Sequence, residues 1–206
     1  MVKSETVLVS ASKVNTELTI SVDKTEVAPT DWIKITGKLI RQDTGEGIPD
    51  AAINLLVNGI PTDVVRTASD GSYSFDYRIP EEGRYDIYTH FGATDQFWGC
   101  DSPLVTVTAK RIPTKITINV SPRTGPPPLE ATISGKITDI DGNPIAVKIE
   151  LYIDGSKVDE KFSNPDGTYS FKYTFTEPRV YEVYTMFPGN VKYEGCERSM
   201  MEEEAW

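Results

Sequence analysis

Hydrophobic residues alternate with polar ones along most of the chain, in short stretches separated by turn-forming residues. Alternation with a period of two is typical of strands that bury one face of a sheet. No window carries the apolar stripe with a spacing of about 3.6 residues that an amphipathic helix needs. The sequence therefore predicts an all-β protein. In the first half the clearest alternating stretches are Leu18-Ile20-Val22, Ile33-Ile35, Ile53-Leu55-Val57, Tyr73-Phe75-Tyr77, Tyr85-Ile87-Thr89-Phe91 and Val105-Val107.

The stretches are separated by Asn-Gly and Asp-Gly pairs. Such pairs tolerate the positive φ angles of tight hairpin turns. Examples are Asn58-Gly59, Asp70-Gly71, Asp154-Gly155 and Asp166-Gly167. The spacing of these pairs predicts short strands joined by tight turns.

The first half of the pattern returns in the second half. Residues 70–77 (DGSYSFDY) recur 96 positions later as 166–173 (DGTYSFKY), and 85–91 (YDIYTHF) recur as 181–187 (YEVYTMF). Upstream of the turn at 44–47 the offset is 98, as between Gly37 and Gly135. About seven short strands per copy predict two tandem immunoglobulin-like Greek-key β-sandwiches.

The repeat predicts a module over 13–110 and a second over 111–206. Tyr85, directly after the turn at Gly83, is placed like the tyrosine corner of such sandwiches. Residues 1–12 fall outside both modules. Residues 4–11 (SETVLVSA) resemble 102–109 (SPLVTVTA), which are predicted to form the last strand of the first module. Residues 1–12 are therefore interpreted as an extra N-terminal strand.

Five segments carry a resemblance to a known family. They are 18–22 (LTISV), 35–39 (ITGKL), 47–51 (GIPDA), 57–59 (VNG) and 70–75 (DGSYSF). The chain resembles the bacterial and archaeal Ig-like repeats of surface and adhesin-type proteins. That resemblance implies a β-sandwich spacer or binding module displayed outside the cell, and it supplies no catalytic residues.

The segment where a last strand of the second module is expected, 197–206 (ERSMMEEEAW), lacks alternation. Three interpretations stay open. The chain was cut or decayed from a longer array, or this segment pairs anyway, with Met201 or Trp206 covering the core. In the third, the N-terminal strand of one copy, with Val7 and Val9, completes the second module of another and builds a filament.

Composition limits the classes of partner that the chain is expected to bind. With 21 basic and 31 acidic residues the net charge is −10, which disfavours nucleic acid because phosphate binding needs clustered Lys and Arg. No stretch reaches the roughly 20 apolar residues of a membrane span. The family resemblance implies an extracellular or cell-surface location, although no signal-peptide pattern precedes the first module, and a virion is the alternative.

Three sets of residues are candidates for chemistry. Cys100 and Cys196 occupy equivalent repeat positions, and we expect unbridged thiols, with intermolecular disulfides as the alternative. Asp139, Asp141, Asn143 and Glu150 have the spacing of a calcium loop, although an ordinary Asp-Gly turn also explains the first three. Trp98 and Tyr193 lie near the Gly-Cys turns and are candidates for stacking on a sugar, or for capping a core.

No nucleophile elbow, phosphate loop or metalloprotease motif is present, and the single histidine, His90, cannot form a histidine-based site alone. The sequence thus predicts a protein that is not an enzyme and needs no cofactor. We expect a structural or adhesive protein of Ig-like repeats that acts as a cell-surface spacer or as a unit of a filament or layer. Its partners would be other copies, neighbouring repeats or a surface glycan. A virion decoration protein and a carbohydrate-binding module are the alternatives.

Overall fold

The computed structural model describes Leu8 and residues 11–199. Within them every regular element is a β-strand, and no helix is long and apolar enough to cross a membrane. The chain divides into two compact units between Ala109 and Lys110, called module 1 and module 2 below.

Module 1 holds ten strands, and their pairing places them in two sheets. The first sheet has the order β1-β4-β2, with β7 also paired to β4, and the second has the order β3-β10-β8-β5-β6, with β9 also paired to β8. The strands are β1 (Thr16–Leu18), β2 (Ser21–Val22), β3 (Glu26–Val27), β4 (Trp32–Arg41), β5 (Ala52–Val57), β6 (Ile60–Arg66), β7 (Ser72–Arg78), β8 (Gly83–Phe91), β9 (Cys100–Asp101) and β10 (Val105–Ala109).

One hydrophobic core lies between these two sheets. Ile33 and Ile35 of β4 contribute from the first sheet, and Ile53 of β5 and Ile87 of β8 from the second; each is at most 1% exposed. Alternate residues of β4 and β8 are buried, because successive side chains of a strand point to opposite faces. The period-two prediction is confirmed by this alternation, and the strand order in the sheets confirms the all-β, Ig-like fold class.

Module 2 repeats the arrangement with eight described strands. Its first sheet has the order β11-β13-β12, with β16 paired to β13, and its second has the order β15-β14-β17-β18. The strands are β11 (Thr114–Ile116), β12 (Asn119–Ser121), β13 (Leu129–Asp139), β14 (Lys148–Ile153), β15 (Ser156–Phe162), β16 (Thr168–Phe175), β17 (Val183–Phe187) and β18 (Cys196–Ser199).

Two of the four predicted pairs, Asn58-Gly59 and Asp154-Gly155, form tight hairpins, whereas Asp70-Gly71 and Asp166-Gly167 join strands of different sheets. Asn58 and Gly59 have φ angles of 52° and 76° between β5 and β6. Asp154 and Gly155 repeat this with 47° and 76° between β14 and β15. Two consecutive positive φ angles match the right-handed twist of the flanking strands.

A buried tyrosine joins the two sheets of each module. The hydroxyl of Tyr73 on β7 contacts the carbonyl oxygen of Thr19 and lies 2.8 Å from the hydroxyl of Thr89 on β8. The strand expected over 18–22 is split at this point into β1 and β2. The amide of Lys38 donates to the Thr19 hydroxyl, at 2.9 Å, which interrupts the regular backbone ladder.

Candidate functional site

The second sheet of module 2 differs from that of module 1 at one edge. In module 1, β10 covers the edge of β8 along Gly83 to Ile87. The repeat places 179–183 of module 2 at the same positions. There, β18 pairs with β17 only from Tyr184 to Phe187, and within the described residues no strand pairs with 179–182.

A groove with a volume of about 490 Å³ lies along this edge of module 2. One wall is formed by Tyr181 and Val183, the counterparts of Tyr85 and Ile87 on β8. The opposite wall is formed by 122–125, the counterparts of 24–27.

In module 1 the corresponding space is occupied. β10 pairs antiparallel with β8 on one side and parallel with β3 on the other. Its Val107 and Ala109 side chains are 0% and 1% exposed. The groove of module 2 is therefore the space that the last strand fills in module 1.

Side chains at this edge are more exposed in module 2 than their counterparts in module 1. Ile87 and Tyr85 are 0% and 7% exposed beneath β10. Their counterparts Val183 and Tyr181 are only half-buried. Leu129, also half-buried, and Phe175 complete an apolar lining, so the groove presents hydrophobic surface to solvent.

The tyrosine-corner geometry predicted for Tyr85 is present. Its hydroxyl donates to the carbonyl oxygen of Glu81 at 2.8 Å, and the Glu81 amide donates back at 3.3 Å. Tyr181 repeats both bonds with Glu177, at 3.3 and 3.1 Å. The corner fixes this tyrosine at the mouth of the groove.

The Arg179 guanidinium lies on the ring of Tyr181. Its guanidinium carbon lies 3.9 Å from the centre of the Tyr181 ring, and its Nη1 lies 2.7 Å from a carboxylate oxygen of Asp154. The Glu182 amide and Arg179 together hold the pKa of Asp154 below its usual range. Arg179 is itself part of the groove lining, and these contacts hold its guanidinium against Tyr181 and Asp154.

The strand-donor candidates Val7 and Val9 lie outside the described residues. Leu8, between them, is 93% exposed. The sequence reasoning named the donor but missed the acceptor side chains, among them Tyr181, Val183 and Leu129. The available signal was the 96-residue offset, which aligns buried Val107 with Glu203 and so marks module 2 as lacking an apolar last strand.

Cys100 and Cys196 are free thiols, each half-buried. The Thr16 hydroxyl donates to the Trp98 carbonyl oxygen at 2.8 Å and lies 3.1 Å from Cys100 Sγ. Thr114 repeats the contact with Cys196 Sγ at 3.0 Å. Burial raises the pKa of both thiols, which lowers their reactivity.

The four proposed calcium ligands are not brought together. Asp139 Oδ1 accepts the amides of Asp141 and Asn143 at 3.0 and 2.8 Å, and its Oδ2 accepts the Asn143 side-chain amide at 2.9 Å. Glu150 instead accepts from Lys157 at 2.6 Å and from Tyr152 at 2.9 Å. In the described part of the chain no three His, Cys, Asp or Glu residues cluster in a way that could hold a metal.

Trp98 and Tyr193 lie in different modules and at positions the repeat does not equate. Trp98 is 53% exposed, with the Lys13 ammonium 5.1 Å from its ring centre. Tyr193 is half-buried and packs against the core of module 2, as its counterpart Phe97 does in module 1. Of these two candidates, Trp98 is the more exposed aromatic ring.

No protein-family model matches the sequence, and no curated protein matches it. Solved structures that are similar to the chain include fibronectin(III)-like modules of Clostridium thermocellum CbhA (14% identity, 87% of this chain, 90% of that chain, TM-score 0.36). The D0-D1 domain of intimin is similar as well (13% identity, 86% of this chain, 96% of that chain, TM-score 0.36). So is the Yersinia pseudotuberculosis adhesin InvE (10% identity, 89% of this chain, 58% of that chain, TM-score 0.37). The strand order of its own sheets places the chain in the class of all-β proteins built from tandem immunoglobulin-like sandwiches.

Proposed function

We propose that the chain is a non-catalytic structural protein of Ig-like modules that assembles end to end, as a spacer or as a unit of a filament or layer at a surface. One observation carries the proposal. Within the described residues no strand fills, in module 2, the slot that β10 fills in module 1, and residues 4–11 resemble residues 102–109, which include that strand.

Strand addition suits such an edge. An exposed sheet edge offers unpaired backbone groups, and an added strand gains hydrogen bonds along the backbone as well as side-chain burial. The donor and the acceptor are different parts of the chain. Contacts of this kind join copies head to tail and produce open filaments when the rotation does not close.

Electron microscopy of the purified chain, together with light scattering across a concentration series, tests the proposal. We expect unbranched oligomers or fibres whose mean length grows with concentration. A chain that stays strictly monomeric at the highest soluble concentration would contradict it.

Trp98 favours a second candidate function, the binding of a surface glycan. The Trp98 indole is 53% exposed, and with the Lys13 ammonium over one face the other face is available for stacking on a sugar ring. A glycan array probed with the chain and with Trp98→Ala tests this. Binding that the substitution leaves intact would exclude the Trp98 face, and Trp32→Ala is a matched control because Trp32 is 59% exposed elsewhere in module 1.

A further inference from the structure

We infer that the groove of module 2 accepts residues 4–11 of a second copy, held as β10 is held in module 1. This rests on the proposed function and names its binding site. Both walls of the groove are counterparts of the two segments that pair with β10, namely β3 and the first half of β8. The groove therefore has the shape and the lining of a strand site.

The register follows from module 1. There Val105 lies opposite Ile87, Val107 opposite Tyr85 and Ala109 opposite Gly83. Residues 4–11 align with 102–109 without a gap, and 83–87 align with 179–183. The bound strand runs antiparallel to residues 179–183, which end at the first residue of β17, with Val7 opposite Val183, Val9 opposite Tyr181 and Ala11 opposite Arg179.

The same alignment decides which donor side chains enter the groove. Val107 and Ala109 are buried in module 1, so Val9 and Ala11 face inward. Val7 takes the place of Val105, which is only half-buried. Leu8 takes the place of Thr106, so it faces away from the groove.

The acidic segment that follows β18 is a poor occupant of the groove. The repeat offset aligns Glu203 with Val107, the side chain that module 1 buries completely. Placing a carboxylate there would remove it from water, which is unfavourable. Residues 4–11 offer valine at the same position, so a second copy supplies what the module's own sequence does not.

A peptide-binding measurement tests the site directly. The acceptor is the full chain carrying Val9→Glu, which cannot donate, and the probe is a fluorescent peptide of residues 4–12. We expect saturable binding that a Leu8→Glu peptide retains within about threefold and that a Val9→Glu peptide loses by at least about 100-fold, because Val9 faces into the groove and Leu8 faces away from it.

A second acceptor isolates the groove. In this chain residues 199–205 are replaced by the sequence PLVTVTA of residues 103–109, so that module 2 carries its own last strand. It also carries Val9→Glu. Folding of both acceptors is checked by circular dichroism, and we expect the self-closed chain to bind no peptide. Equal binding by the two acceptors would overturn the assignment of the groove.

The outcomes separate this inference from the proposed function. Fibres that persist in Val9→Glu and in the self-closed chain would overturn the groove but leave assembly standing. Peptide binding by a chain that never assembles would support the groove and contradict assembly. A monomeric chain that takes up peptide only after Val9→Glu would show that its own strand fills the groove, which would overturn the second copy as occupant.

Discussion

Gly37 and Gly135 lie where each module has no room for a side chain. A Cβ atom at Gly37 would fall 2.0 Å from the carbonyl oxygen of Thr19 and 2.2 Å from the Tyr73 hydroxyl. The absence of a side chain lets the tyrosine reach across to that carbonyl. The sequence showed this glycine in both repeats, but its reason is the long-range contact.

Replacing Gly37 with alanine should therefore be costly. We expect Gly37→Ala to lower the free energy of unfolding by about 3 kcal/mol or more, at the upper end of overpacking effects, because backbone and tyrosine must both shift. Urea unfolding measures this change in the free energy of unfolding. Gly92→Ala is the control, since its Cβ meets no atom nearer than 4.0 Å and its φ is not positive, so a change within about 1 kcal/mol is expected. Equal effects would contradict the steric explanation.

Tyr169, the equivalent tyrosine of module 2, predicts a loss of stability at high pH. Burial raises the pKa of Tyr169 to about 12, while the hydroxyl of Thr185, 2.7 Å away, acts in the opposite direction. An unfolded tyrosine titrates near pH 10. Because the folded state holds the proton more tightly, this stabilisation is complete below about pH 10 and is lost as pH rises towards 12.

The measurement is the unfolding free energy of the chain and of Tyr169→Phe between pH 9 and pH 12. The wild-type chain should lose stability more steeply over this range, whereas the variant should begin lower by about 1–2 kcal/mol, having lost a buried hydrogen bond. Parallel pH profiles would contradict a role for this phenol.

At the scale of elements, the turn 139–143 organises itself around one carboxylate. Asp139 Oδ1 accepts two backbone amides, and both of its oxygens are engaged by groups within the turn. Such a turn resembles the start of a calcium loop in sequence because both require an oxygen-bearing side chain near a glycine.

The expected result of adding calcium, or a chelator, is an unchanged melting temperature. Asp139→Ala should lower the melting temperature because the turn amides lose their acceptor, whereas Asp141→Ala should not, since Asp141 is exposed. Thermal melts followed by circular dichroism compare the wild-type chain, Asp139→Ala and Asp141→Ala, each with calcium and with a chelator. A rise in melting temperature with calcium that Asp139→Ala abolishes would restore the metal site.

The sequence predicted the strands and turns well because their signals are local. Alternation in β4, β5 and β8 and the Asn58-Gly59 pair each require only a few neighbouring residues. Strand neighbours across the sheet are not local, so the repeat offset predicts them only together with the strand pairing, and the lining of the groove by Tyr181, Val183 and Leu129 was not predicted. The split between β1 and β2 was missed for the same reason, because Thr19 meets Tyr73 54 positions away.

At the scale of the whole molecule, the two modules should respond differently to concentration. A strand bound only by folded module 2 stabilises that module by mass action, while module 1 already contains its own last strand. Calorimetry over a concentration series should show one unfolding transition that moves to higher temperature and one that stays. In the Val9→Glu chain the temperatures of both transitions should be independent of concentration. Two transitions that move together would contradict the assignment of the open edge to module 2.

The filled slot of module 1 has a consequence for the shape of any assembly. In the proposed assembly β10 already occupies that slot, so module 2 is the one of the two modules that accepts a strand, and copies joined in this way grow without branching. Growth then resembles step polymerisation of a monomer with two unlike ends. A small admixture of copies that cannot donate would set the average length, in the way that a chain terminator does.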